Sequence, residues 1–177
     1  LGDAWHGVAA MAAAAAAADD DGELGPDGDS DSWVAARTNQ LRIFEQFRAF
    51  ATYDKAPTKY EKPFAEMPAV TLCDKVIYMR FSYYLTYTYV IPVGVKNAGR
   101  HLSADTAKKL LLGVLNHAKA KFYAGGSATV RQFFSCLDSK SSSDEAKWLN
   151  GVKDKMTRQI FERVKEAGEK LDNSEVP

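Results

Sequence analysis

Three sets of residues in this 177-residue chain have the type and spacing to hold a polyanion. The first is Lys108, Lys109, Asn116 and Lys119, and the second is Lys153, Lys155, Arg158, Gln159 and Lys165. A weaker third is Arg37, Asn39, Gln40 and Arg42. Lysine and arginine on an exposed helical face neutralise phosphates and release condensed counterions, while amide side chains among them reach base edges. Lys155, Arg158 and Lys165 recur at spacings of three and seven, which puts them on one helical face. Asp154 and Glu162 fall there too, so that face is not purely basic. The competing reading is that these residues are the wet faces of amphipathic helices, laced by pairs such as Arg158–Glu162 at i, i+4.

Residues able to do covalent chemistry do not form a constellation. Cys73 and Cys136 are far apart and form no CxxC, which argues against a disulfide scaffold or a zinc site and fits a reducing compartment. His6, His101 and His117 have no neighbour at metal-ligand spacing, so neither metal nor cofactor is expected. Ser135-Cys136 lacks an identifiable His or acid partner, and Cys136 reads as structural. The stretch "MRFSYYLTYTYVIPVG" carries Tyr83, Tyr84, Tyr87 and Tyr89. Stacking on single-stranded bases is one use for such rings. The simpler expectation is that a helix divides them between core and rim, where the hydroxyl tolerates partial exposure. Trp33 and Trp148 read as core anchors.

The formal net charge is zero, but it is unevenly distributed. Residues 1–32 hold eight acids and no Lys or Arg, leaving the other 145 residues with 23 basic against 15 acidic groups, a net of +8. A basic body with an acidic arm fits an anionic partner, the arm serving as solubiliser or internal competitor. No stretch has the length and apolarity of a bilayer span. The alanine run 12–18 has no basic residue before it and leads into acids, unlike a signal peptide. The first residue is Leu, and "LDNSEVP" has the look of a linker; a piece of a longer protein is expected.

The elements that position these residues are helical. Residues 1–32, polyalanine followed by "DDDGELGPDGDSDS", are too poor in varied apolar side chains to offset the entropy of ordering, and a disordered arm is expected. Asp31-Ser32 is a plausible cap for a first helix with Trp33, Leu41, Phe44, Phe47 and Ala51 on its inner face. A proline-punctuated loop follows. Residues 70–90 alternate well enough for a strand over "TYTYV", but lack any turn and are too long for one. The spacing of Val70, Cys73, Ile77, Phe81, Tyr84, Leu85 and Thr88 predicts one helix with a frayed or extended end at 86–92. Ser103 caps the clearest helix, whose face is Ala107, Leu110, Leu111, Val114, Leu115, Ala118 and Phe122, ended by Gly125-Gly126. A short helix buries Phe133, Phe134 and Leu137. Ser143 caps the last, with the stripe Leu149, Val152, Met156, Ile160 and Val164, closed by Gly168. The expected fold is all-α: a compact bundle of four main helices plus one short helix.

The order of these pieces resembles the N-terminal core-binding domain of tyrosine recombinases of the phage-integrase type, most nearly the version in Crypton-like eukaryotic mobile elements. The residues that carry the resemblance are Phe81-Ser82-Tyr83-Tyr84-Leu85, the Ser-led segment Leu102 to Lys119, and Trp148 to Met156 with its linker-like end. The likeness covers 33–177 and is sharpest at 79–85, 102–122 and 147–168. It implies a SAM-like helical domain at 33–170 that grips one side of double-stranded DNA, with 171–177 starting a linker to a downstream catalytic domain. It also implies a nuclear protein of DNA recombination or integration. The family's chemistry needs an Arg, a Lys, a His-x-x-Arg and a nucleophilic Tyr. Here Ala9, Ala104 and Ala120 stand third after the histidines, so the motif is absent and the fragment is expected to be non-catalytic. The alternative is a helical protein–protein interaction module, docking through the aromatic second helix with the acidic arm as tether.

Overall fold

Proline and small capping side chains decide where this chain turns helical and where it stops. The computed structural model describes residues 31–53, 61–95, 97–138 and 140–168, with the side chains of 31–36 and 51–53 outside that description. The acidic arm over 1–30, the linker expected at 171–177, the capping side chains Asp31 and Ser32, and the side chains of Trp33 and Ala51 all lie outside the described part. Among the described residues every regular element is helical and none is a strand; the fold is all-α. The chain divides into two units, Leu1–Met67 with Val90–His101, and Pro68–Tyr89 with Leu102–Pro177.

In the first unit, helix α1 runs Asp31–Tyr53 and a 3-10 turn spans Phe64–Glu66. Phe44 and Phe47 are buried as their spacing requires, and Ile43 joins them. Phe44 meets Phe64 edge-on, with centroids 5.6 Å apart. Glu45 fixes the 3-10 turn to α1: one carboxylate oxygen accepts from the Phe64 amide at 2.7 Å, the other from Arg48 Nε at 2.6 Å. The loop 90–101 folds back on itself, with Ile91 N donating to the Arg100 carbonyl and Gly99 N to the Ile91 carbonyl. Asn97 takes the left-handed φ of 64° at its tip, which asparagine tolerates.

The second unit holds the other helices. These are α2 (Ala69–Leu72), α3 (Lys75–Tyr83), α4 (Ala104–Phe122), α5 (Ala128–Phe134) and α6 (Asp144–Glu166). A π turn, Tyr84–Thr88, prolongs α3, and a 3-10 turn, Ser135–Leu137, prolongs α5. Ser103, Ser127 and Ser143 each accept a backbone N–H in the first turn of the helix that follows. The faces of α4 and α6 are buried as their periodicity predicts, except that Phe122 and Val164 stay half-buried at the ends. Phe133 and Phe134 are buried, but Leu137 is only half-buried, and Cys136 takes the interior position beside it. Gly126 ends the α4–α5 connection in a tight fit, because a Cβ there would lie 2.6 Å from the Phe122 carbonyl and 2.7 Å from Val130 Cγ1.

The single helix expected over 70–90 is broken. Cys73 leaves helical geometry and Asp74 becomes an N-cap, its carboxylate accepting the Val76 amide at 2.9 Å. An aspartate able to cap competes with an aspartate kept in a helix interior, and here the cap wins. Val70 therefore belongs to a separate short turn and is 80% exposed instead of facing the core. The break exposes a carbonyl at the end of α2 to an apolar interior. Tyr78, fully buried, satisfies it by donating its hydroxyl to Leu72 O at 2.8 Å. The frayed or extended end expected at 86–92 begins later than that, because Tyr84–Thr88 stays helical as the π turn and the chain becomes extended only at Tyr89.

Candidate nucleic-acid interface

The geometry of α4 and α6 sorts the candidate residues. At 100° per residue, the core side of α4 is defined by Ala107, Leu111, Val114 and Ala118. Lys109 and Asn116 lie opposite it and are exposed. Lys108 and Lys119 flank the core face and are half-buried. Lys108 Nζ is 2.9 Å from Asp105, and that hydrogen bond, with the charges of Lys108 and Lys109, holds the Asp105 carboxyl below its usual range. Lys119 Nζ stands 5.1 Å from the centre of the Tyr123 ring, a cation–π contact at the end of the helix.

On α6 the sorting is sharper. Lys155, Arg158 and Lys165 are exposed on the side opposite Leu149, Met156 and Ile160. Lys153 and Gln159 are half-buried and flank the core stripe on either side. Those two therefore leave the outer face that the other three share. Asp154 and Glu162 are exposed between the cations. The helix is 23 residues long, roughly 34 Å, close to the repeat of one duplex turn. The third set lies in the other unit, where Arg42 is occupied in donating to Asn39 Oδ1 at 2.8 Å, Gln40 is half-buried, and Arg37 is half-buried.

No protein-family model, curated protein or solved structure matches this chain. Among the described residues no group of His, Cys, Asp and Glu could hold a metal ion, and no helix is long and apolar enough to cross a membrane. Burial raises the Cys136 thiol to about 11, so it stays protonated at neutral pH. A surface cleft of about 440 Å³ brings Lys121 and Ser127 together with Phe122, Val130 and small residues, with no acid beside them.

Sequence reasoning missed one residue that organises this region. Arg163 on α6 donates from Nη1 to the Thr86 carbonyl and from Nη2 to the Leu102 carbonyl at 3.2 Å. It joins the end of the π turn and the entry to α4 to the last helix. The available signal was positional: Arg163 follows Met156 and Ile160 at seven and three, a charged residue in an apolar register. Trp148 is half-buried against Phe133, centroids 6.1 Å apart, with Lys75 Nζ 5.6 Å from its ring. The tyrosines divide as expected: Tyr84 and Tyr89 are buried, while Tyr83 and Tyr87 are exposed.

Proposed function

We propose that this protein binds double-stranded DNA through the outer faces of α4 and α6. The observation that carries the reading is the exposed set Lys155, Arg158 and Lys165 on one face of a helix about as long as a duplex turn. Lys109 and Asn116 on the outer face of α4 are the second set, with Lys108 and Lys119 at its edge. These residues position the phosphate backbone, and Asn116 and Arg158 are side chains able to touch a base edge. Half-buried Lys153 and Gln159 act at the margin. The order of the helices supports placing this module in a tyrosine-recombinase-like protein of the nucleus, where a separate downstream domain would supply the chemistry. As it stands the module is non-catalytic.

The test is fluorescence anisotropy of the full chain with a labelled random-sequence duplex across a salt series. The expected result is measurable affinity at low salt, with log K falling linearly in log salt. Lys155→Ala with Arg158→Ala is expected to lower the slope by about 2, roughly one unit for each phosphate no longer neutralised. No binding at low salt, or a slope unchanged in that variant, would reject the assignment.

A further inference from the structure

The outer face of α6 carries two residues that phosphate binding does not use. Gly151, Arg158 and Lys165 stand seven residues apart, so they run in one line along the helix, and all three are exposed. A glycine inside a helix is destabilising relative to alanine, because it loses more backbone freedom on folding. The packing of this protein gives no reason for one at 151, since a Cβ there would meet nothing within 4 Å. What glycine does offer is bare backbone that another molecule can approach closely. Beside the same line stands Phe161, three residues after Arg158 and four before Lys165. It is 40% exposed, whereas Ile160 next to it is buried in the core.

A row of phosphates would meet this surface poorly. Asp154 and Glu162 stand exposed among the cations and would repel it. The base edges of the major groove suit the same side chains better. They present an amino donor on cytosine to a carboxylate, two acceptors on guanine to a guanidinium, and the C5-methyl of thymine to an apolar side chain. That groove admits a helix, and a helix enters it most deeply where no side chain stands in the way. We infer that α6 reads thymine: its outer face enters the major groove along the line of Gly151 and Arg158, and Phe161 packs on a thymine methyl group. The inference rests on the duplex reading above and adds to it a preference among base pairs.

Anisotropy of the full chain with two labelled duplexes tests it. Both consist of alternating A·T pairs and carry the same phosphates, but in one of them uracil replaces thymine, which removes only the methyl groups. Wild-type protein is expected to bind the thymine duplex about fourfold more tightly, the worth of one buried methyl group. Phe161→Ala should bind the two equally, and Phe161→Leu, which stays apolar, should keep part of the preference. Because Phe161 is only partly buried, both variants are expected to fold, with a helical circular-dichroism spectrum like that of the parent. Gly151→Ala should raise the urea midpoint and yet weaken binding to both duplexes, two effects of opposite sign that a merely structural glycine would not give. Salt-dependent binding that is equal for thymine and uracil, or a preference that survives in Phe161→Ala, overturns the inference and leaves the duplex reading standing. Unchanged affinity in Gly151→Ala overturns the entry of α6 into the groove. No binding to either duplex at low salt rejects the duplex reading, and the inference falls with it.

Discussion

Tyr78 and Arg163 each satisfy backbone carbonyls that the path of the chain leaves without helical partners. Tyr78→Phe removes only the donor to Leu72 O, and leaving that buried acceptor unpaired should cost about 1–3 kcal/mol in urea denaturation. Arg163→Ala strips two carbonyls at once, and a loss of about 1.5–3 kcal/mol is expected, with Arg163→Lys recovering only part because one ammonium nitrogen replaces the two nitrogens that a planar guanidinium holds against separate carbonyls. Cys136 sets a pH dependence. Its thiol titrates near 9 in the unfolded chain and at about 11 in the folded one, so the folded state holds the proton between those values. Its contribution is complete below pH 9 and is lost as pH rises through 11. Tyr78, also raised by burial, adds a loss of the same sign at higher pH. Unfolding free energy measured against pH should fall above pH 9, and Cys136→Ala should flatten the first part of that fall.

At the scale of elements, the caps are separable. Asp74→Ala should cost about 1 kcal/mol in thermal or urea unfolding and loosen the start of α3, and Ser143→Ala should do the same for α6. Where the sequence alternated apolar and polar residues at helical spacing behind a Ser cap, as in α4 and α6, both the helix and its buried side were legible. The break at Cys73–Asp74 was not, because periodicity reads Asp74 as an outward residue in a continuous helix, whereas its carboxylate has a local use as a cap. Tyr78 escaped for the same reason: its burial depends on the carbonyl that the break creates. For the candidate site, spacing found Lys155, Arg158 and Lys165, whose exposure follows directly from the apolar stripe opposite. Lys153 and Gln159 lie close to them in sequence, but a helix rotates neighbours by 100°, and both come to rest beside the core. Arg163 needed knowledge of which carbonyls α6 would meet, a long-range fact absent from any local pattern.

For the whole molecule, the division of charge sets the expected behaviour in solution. Residues 1–30 hold seven of the acids and no Lys or Arg, so their removal shifts the formal charge from 0 to +7. Deletion of those residues should raise duplex affinity and association rate at low salt, with the difference vanishing as the Debye length shortens. Anisotropy and stopped-flow binding at two ionic strengths check this, and equal affinity at low salt would dismiss the arm as a competitor.

The guanidinium of Arg163 has a consequence for how this gene could change over time. Thr86 and Leu102 are 16 positions apart, yet their carbonyls meet at one side chain. The chain leaves that point and comes back to it, so the intervening excursion has a closed neck. Lengthening a flexible loop costs little once its ends are held, about 0.6 kcal/mol for each doubling. Insertions and deletions near Asn97 should therefore accumulate among descendants of this sequence, or be accepted in an engineered graft, without disturbing the helices on either side of the neck.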